Sequence, residues 1–227
     1  MMNKIWLILI MGIAIAGCAK TEQAREVETS GFIEDYSMLR PGKDGEALLI
    51  YKNPQADFSI YQSVYVDPVI VWLSKESTLS QEELKKLAED LHSKVIWKIK
   101  ESFLVVPKLI PDALRIELAL TEAEPSDVGM DIASTLLPPV GMVSGAQELA
   151  TGTWAFVGRA SIEAKVTDGN TGTLLMAAAD RRAGGRSLDG SMDSWDDVHQ
   201  AFEYWANKLS QRLNEWRQTA KPAKLPS

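Results

Sequence analysis

Three arginines close together in the chain are the residues whose type and spacing best fit the binding of an anion. Arg181, Arg182 and Arg186 flank the glycine pair at 184 and 185. A guanidinium group holds phosphate or carboxylate through two parallel hydrogen bonds, so the cluster is a candidate binding site for a phosphate, a carboxylate or an anionic glycan. Arginines at the end of a hairpin are also commonly solvated without a ligand, and that alternative stays open.

A second group of charged residues lies near the C-terminus. The sequence MDSWDDVH, residues 192 to 199, contains Asp193, Asp196 and Asp197. Two carboxylates on either side of a glycosidic bond can cleave it. Acidic residues in the first turn of a helix also cap the helix and complement its dipole, and this structural role is the favoured interpretation.

No other arrangement of residues in the sequence predicts catalysis. The two histidines, His92 and His199, each lie in a predicted helix without a Cys or a second His four residues away, so neither predicts a zinc pair. The sequence contains no nucleophile elbow, phosphate-binding loop or dinucleotide fingerprint. We therefore expect no catalytic residues, no metal, no cofactor and no enzymatic activity.

The only cysteine of the chain points to covalent lipid attachment. Cys18 ends the sequence Ile15-Ala16-Gly17-Cys18, which resembles the bacterial lipobox, where a signal peptidase cleaves before the cysteine and the thiol is diacylated. The apolar run from 5 to 15 is shorter than the roughly 20 residues of a membrane span, so residues 1–17 are predicted to be a lipoprotein signal peptide. Cys18 is the predicted lipid-attachment residue; the alternative is an ordinary signal peptide with a chance cysteine.

The residue after the cysteine and the net charge restrict the location and the partners. In Gram-negative lipoproteins Asp at this position favours the inner membrane, so Ala19 implies the periplasmic leaflet of the outer membrane if the organism has two membranes. Loss of residues 1–17 would leave 210 residues and change the net charge from −7 to −8, because Lys4 is the only charged residue removed. This acidic balance argues against a nucleic-acid partner.

Two amphipathic helices are predicted. The first spans about 80 to 101, with Ser80 and Glu83 as a capping box. The second spans 195 to 217. Each has apolar residues at steps of three and four, which indicates one buried face. The apolar positions are Leu84, Leu87, Leu91, Val95 and Ile99 in the first helix, and Trp195, Val198, Phe202, Trp205, Leu209, Leu213 and Trp216 in the second.

The remaining regular segments are predicted to be strands. They cover 47–53, 63–73, 113–121, 158–168 and 173–182, and Asp67-Pro68 should interrupt the second of them or place it at an edge. The segment 168–172, DGNTG, has the composition of a turn and joins the last two strands in a hairpin. This order predicts an α+β fold, with a mostly antiparallel sheet and both helices packed on one face.

The chain is predicted to form one domain. Residues 31–218 make up that domain, residues 18–30 form a lipidated flexible tether, and residues 219–227 form a disordered tail. The segment 132–147 contains no charged residue. Three interpretations stay open for it: a loop packed on its own sheet, a surface for a partner or a second copy, or contact with the membrane.

Several of these segments together resemble a known family. They are GFIEDYSMLRPG (31–42), LIYKNP (49–54), the strand with Asp67-Pro68, DGNTGTLLMAAADRR (168–182) and the final helix. The pattern resembles an uncharacterised family of bacterial lipoproteins, domain of unknown function 3313, which implies a periplasmic setting but no activity. A weaker resemblance, at the level of the fold, is to periplasmic envelope-assembly lipoprotein domains that bind proteins or oligomerise.

The sequence therefore predicts a non-enzymatic lipoprotein, anchored in the outer membrane. Its domain would bind an envelope protein partner or a second copy of itself in the periplasm. The alternative function is a cell-envelope hydrolase that uses carboxylates.

Overall fold

The computed structural model describes residues 21–73, 79–127, 147–148, 157–184 and 193–219. Residues 1–20 with Cys18, residues 132–146, Arg186 and residues 220–227 lie outside these ranges. The helices are α1 (Gln81–Ile99) and α2 (Asp196–Thr219). The strands are β1 (Glu22–Gln23), β2 (Arg40–Pro41), β3 (Leu49–Lys52), β4 (Ser63–Val66), β5 (Ile70–Val71), β6 (Leu104–Val105), β7 (Ala113–Glu124), β8 (Arg159–Asp168) and β9 (Leu174–Ala183).

All nine strands in this part of the chain belong to one sheet. Its order is β2-β3-β9-β8-β7-β4-β6, with β1 beside β9 and β5 beside β7. The long strands β7, β8 and β9 pair antiparallel and form its centre. β4 and β5 run parallel to β7 because the chain crosses over through α1 before it returns to the sheet. The predicted α+β class with a mostly antiparallel sheet is confirmed.

The main core lies between the two helices and one face of the sheet. Residues at alternate positions of β7 and β8 pack there with the apolar stripes of both helices, since alternate side chains of a strand point to the same face. The capping box of α1 is confirmed: the Ser80 amide donates to Glu83 Oε2 at 2.8 Å, and the Glu83 amide donates to Ser80 Oγ at 3.3 Å. Both predicted helices are confirmed, and their ends differ from the predicted ends by one or two residues.

The predicted strand 63–73 is divided into β4 and β5 at Asp67-Pro68, as the proline required. The carboxylate of Asp67 accepts hydrogen bonds from Arg115 Nε at 2.6 Å and Nη2 at 3.3 Å. The side chain of Arg115 on the neighbouring strand β7 therefore stabilises the break between β4 and β5.

The hairpin between β8 and β9 is also confirmed. Asp168 Oδ1 accepts hydrogen bonds from the amides of Asn170 at 3.1 Å and Thr171 at 2.6 Å. Gly172 has a φ of +69°, a backbone conformation that glycine adopts without a steric cost. The predicted turn therefore closes as an Asx-turn.

The second face of the sheet buries a carboxylate. Glu163, in the middle of β8, is fully buried. It accepts hydrogen bonds from the amide of Ser30 at 2.7 Å, from the amide of Ile33 at 3.3 Å and from the hydroxyl of Tyr36 at 2.6 Å. Burial, followed by this bond to Glu163, raises the pKa of Tyr36. The carboxylate therefore attaches the segment 30–36 to the sheet.

Apolar and charged contacts extend this attachment. Phe32 and Ile33 pack against the sheet in a second, smaller cluster with Ala119 and Ala177. Lys165 Nζ, on the same face of β8 as Glu163, lies 2.8 Å from Glu34 Oε1 and 4.5 Å from the centroid of the Phe32 ring. Residues of the segment 31–42 therefore cover the second face of the sheet.

The first described residues differ from the flexible tether predicted for 18–30. Thr21 is buried, and β1 pairs with β9 through Glu22 opposite Ala183 and Gln23 opposite Arg182. The amide of Ala24 donates to the carbonyl of Arg181 at 3.0 Å. A polar composition did not predict this arrangement because a short edge strand is held by backbone hydrogen bonds, which do not depend on apolar side chains.

We expect the variant Glu163→Gln to lower the free energy of unfolding by about 1–3 kcal/mol, because the amide nitrogen that replaces one oxygen faces N–H or O–H donors. Urea unfolding followed by circular dichroism measures this loss. The matched control is Glu82→Gln on α1, whose carboxylate is largely exposed and whose replacement should change the stability by less than about 0.5 kcal/mol. Equal effects of the two variants would contradict the role of Glu163.

Candidate functional site

A concave pocket with a volume of about 90 Å³ lies between α2 and the sheet. Its floor consists of apolar side chains on β3, β7, β8 and β9. The short side chains of two alanines on adjacent strands leave room beneath the helix. The floor residues are Ile50, Leu118, Ile162, Ala164, Met176 and Ala178.

A single aspartate lies in the wall of the pocket. Asp180 Oδ1 accepts hydrogen bonds from Gln23 Nε2 at 2.6 Å and from the Leu48 amide at 3.1 Å, and Asp180 Oδ2 accepts one from Trp205 Nε1 at 2.7 Å. Burial raises the pKa of Asp180, while these three donors act in the opposite direction. Both oxygens of the carboxylate therefore already accept hydrogen bonds within the protein. The donors belong to β1, to the loop before β3 and to α2.

The mouth of the pocket carries positive charge from α2. Arg212 donates from Nη2 to the carbonyl of Gly45 at 3.3 Å and from Nη1 to Glu215 at 3.0 Å. Lys208 Nζ lies 5.5 Å from the centroid of the Tyr204 ring. Gly45, opposite these two cations, has a φ of +77°, so the turn depends on glycine there.

An acidic residue at the same rim is held by the chain itself. Glu46 accepts hydrogen bonds from Arg40 Nη1 at 2.8 Å and Nη2 at 3.1 Å. This hydrogen-bonded pair lowers the pKa of Glu46 to about 2. The Glu46 carboxylate is therefore ionised at neutral pH and paired with Arg40. The charged side chains on the opposite side of the mouth are those of Lys208 and Arg212.

The chemistry of the pocket fits the binding of a small apolar group. The apolar floor of this cavity of about 90 Å³ suits an aliphatic group. The cations at the mouth favour a negative charge next to that apolar group. The pocket therefore has the properties of a recognition site for a side chain with an adjacent acid.

The structure gives two of the three predicted anion-binding arginines partners within the chain. Arg181 binds Glu122 through Nε at 2.8 Å and Nη2 at 2.7 Å. Arg182 donates from Nε to Thr21 Oγ1 at 2.9 Å and from Nη2 to the Thr21 carbonyl, and its guanidinium lies 3.6 Å from the centroid of the Tyr204 ring. Arg186 lies outside the described residues, so anion binding by the cluster stays a prediction that would require displacement of these partners.

The aspartates near the start of α2 make contacts that fit a structural role. Asp193 Oδ1 accepts a hydrogen bond from the amide of Trp195 at 2.9 Å. Asp197 Oδ2 accepts one from the amide of Gly158, also at 2.9 Å, and so connects α2 to the strand β8. These contacts favour the capping interpretation over a pair of catalytic carboxylates.

Both histidines have partners within the protein. His199 Nδ1 lies 2.8 Å from Asp90 Oδ2, and His92 Nε2 lies 3.4 Å from the carbonyl of Val66. Among the residues that the structure describes, no three His, Cys, Asp or Glu side chains come together in a way that could hold a metal ion. Within the same ranges, no helix is both long enough and apolar enough to cross a membrane.

The pocket residues were not identified as a site from the sequence. One feature of the sequence could have identified Asp180. This residue continues the alternation of Met176 and Ala178 in β9, so its carboxylate lies at a position that faces the core. Lys208 and Arg212 lie four residues apart on α2 and share one helical face. Their meeting with Asp180 and Gln23 depends on how β1, β3 and α2 pack, which the sequence pattern did not show.

The family model described as "Protein of unknown function (DUF3313)" matches residues 28–209. Because the match covers most of the sequence, the chain belongs to this family, and the predicted resemblance is confirmed. No curated protein matches the chain.

Several solved structures are similar to this chain at low identity. The PelC dodecamer from Paraburkholderia phytofirmans is 10% identical with a TM-score of 0.41, and the match covers 70% of this chain and 95% of that one. Protein XCC0632 from Xanthomonas campestris is 10% identical with a TM-score of 0.43 and coverages of 74% and 91%. Lipoprotein GNA1162 from Neisseria meningitidis is 9% identical with a TM-score of 0.34 and coverages of 66% and 98%. Similarity at this level does not identify a function.

The raised pKa of Asp180 predicts a pH-dependent stability. A carboxyl group whose pKa is higher in the folded state stabilises the fold at low pH and loses that contribution as it ionises. We expect the free energy of unfolding of the wild-type chain, relative to the variant Asp180→Asn, to decrease as the pH rises from 3.8 through the raised pKa. Urea unfolding of both proteins over this pH range measures the difference.

The variant Trp205→Phe provides the matched control for this prediction. It removes one donor to Asp180, so the pKa of the carboxyl group should rise further and the decrease in stability should extend to higher pH. A difference between wild type and Asp180→Asn that does not change with pH would contradict the prediction.

Proposed function

We propose that this member of the DUF3313 family is a lipoprotein, anchored on the periplasmic face of the outer membrane, that acts as a non-enzymatic binding or assembly module. Its partner would be an envelope protein or a second copy of the chain. The observation that carries the proposal is the pocket beneath α2, with an apolar floor, a cationic mouth and a carboxylate already bound by the protein.

The anchoring part of the proposal is supported by the sequence around Cys18. Residues 1–17 would be removed as the signal peptide, and the new N-terminal cysteine would carry two or three acyl chains, which are enough for stable anchoring. Thr21, three residues later, already belongs to the folded domain because it is buried. The domain would therefore be attached to its lipid by a very short connection.

The pocket supports binding more strongly than hydrolysis. A general acid or base must reach a proton of the substrate within hydrogen-bond distance. Asp180 is occupied by donors from Gln23, Leu48 and Trp205, and its position in the wall serves to fix β1, the 42–48 loop and α2 to one another. The carboxylates of Asp193 and Asp197 are likewise used for local hydrogen bonds.

The partner chemistry follows from the two parts of the pocket. Interfaces usually derive most of their affinity from a few apolar or aromatic side chains that fill pockets. The floor around Ala164 and Ala178 would accept such an anchor, and Lys208 would pair with an acidic residue beside it, next to Arg212, which already pairs with Glu215. A partner segment with an aliphatic residue next to Asp or Glu fits both features.

We expect Cys18→Ser to abolish acylation and to release the protein from the membrane fraction, because no other cysteine can take its place. Mass spectrometry of the purified protein and membrane fractionation measure the two effects. The matched control is Ala19→Asp, which should keep the acylation and move the protein to the inner membrane if the organism has two membranes. An unmodified Cys18 in the wild-type protein would contradict the lipoprotein proposal.

We expect a photoreactive amino acid at position 47, which lines the pocket, to give a discrete crosslinked adduct in cells, which mass spectrometry identifies as another envelope protein or as a second copy. The same amino acid at position 85, on the exposed surface of α1, is the control and should give no such adduct. The added variant Ala178→Leu should remove the adduct by filling the pocket while circular dichroism shows an intact fold. Equal adducts at 85 and 47, or none at either, would contradict binding at the pocket.

A further inference from the structure

One end of the central sheet collects the chain segments that lead to the lipid-attachment residue. The register places Glu124 opposite Arg159, Arg159 opposite Ala183, and Ala183 opposite Glu22. These four residues form a row across β7, β8, β9 and β1, which we name the anchor end. The hairpin turn at 169–172 lies at the other end of β8, nine residues away along the strand, or about 30 Å.

The start of α2 lies at the same end of the sheet. The amide of Gly158 donates to Asp197 Oδ2 at 2.9 Å, and the amide of Ser126 donates to the carbonyl of Ser194 at 2.7 Å. The amide of Gly184 donates to the carbonyl of Gly158 at 2.9 Å. The anchor end is therefore a compact surface on which strand ends and a helix start are tied together.

The chain leaves this surface toward Cys18 from a fixed point. The guanidinium of Arg182 binds both the side chain and the carbonyl of Thr21, and stacks on the Tyr204 ring. Two residues separate Cys18 from Thr21, and the three residue steps between them span at most about 11 Å in a fully extended chain. The lipid-bearing residue therefore stays close to the anchor end in any conformation of the connection.

We propose that the anchor end lies directly against the phospholipid headgroups of the anchoring membrane, so that β8 points away from the bilayer and the hairpin turn at 169–172 is its most distant part. The inference rests on the acylated Cys18 of the proposed function. A lipid held in the bilayer at one end of an 11 Å connection leaves no room for the domain to turn its opposite end toward the membrane.

The orientation can be measured because acylation leaves the chain without a reactive thiol. A cysteine introduced as Glu124→Cys or as Asn170→Cys is then the only site for a fluorescent maleimide, and both original residues are exposed. The full-length acylated protein is reconstituted in phosphatidylcholine vesicles that contain a lipid with a nitroxide on its headgroup. We expect a loss of fluorescence for the label at 124 and none for the label at 170, relative to vesicles without nitroxide.

A longer connection is the matched control. Twelve Gly and Ser residues inserted between Lys20 and Thr21 add a flexible chain with a typical span of about 20 Å. This insertion should remove the difference between the two labels while the protein stays bound to the vesicles.

The outcomes separate the two proposals. If mass spectrometry shows no acyl chains on Cys18, the proposed function and this inference are both overturned. If the protein is acylated and floats with the vesicles, yet both labels are quenched equally or only the label at 170 is quenched, the orientation alone is wrong.

Discussion

The structure depends on the burial of a carboxylate at the centre of its sheet. Every residue of β8 from 160 to 167 is buried, so the polar side chains on the second face of this strand must all find partners within the protein. Glu163 obtains them from Ser30, Ile33 and Tyr36. An ionised group without such donors would be very costly in this position, and the N-terminal segment is therefore a required part of the fold.

This constraint also connects the sheet to the residues that follow Cys18 in the sequence and to the pocket. Once the segment 30–36 is fixed on Glu163, the residues before it follow the edge of β9, where Arg182 holds Thr21 and Gln23 reaches Asp180. The same short stretch thus limits the distance between the domain and Cys18 and completes one wall of the pocket. This polar segment is therefore ordered by hydrogen bonds to β9 and to Asp180 and does not form a flexible tether.

Two buried acidic residues hold other segments of the chain against opposite faces of the sheet. Glu163 on β8 holds the N-terminal segment, whereas Asp180 on β9 holds α2 through Trp205 and the 42–48 loop through the Leu48 amide. In both cases N–H or O–H donors occupy the oxygens. Glu163 and Asp180 therefore both act as connectors between elements of the fold.

The sequence by itself determined the elements that follow from local patterns. The capping box at Ser80, the apolar stripes of both helices, the break at Asp67-Pro68 and the turn at Asp168 each depend on residues close in the chain, and all were predicted. The pocket, the strand β1 and the burial of Glu163 depend on contacts between residues far apart, such as Gln23 with Asp180 and Tyr36 with Glu163. Only the tertiary structure decided these, because hydrophobic periodicity reports which face of a segment is buried and carries no information about which distant donor will meet a buried acid.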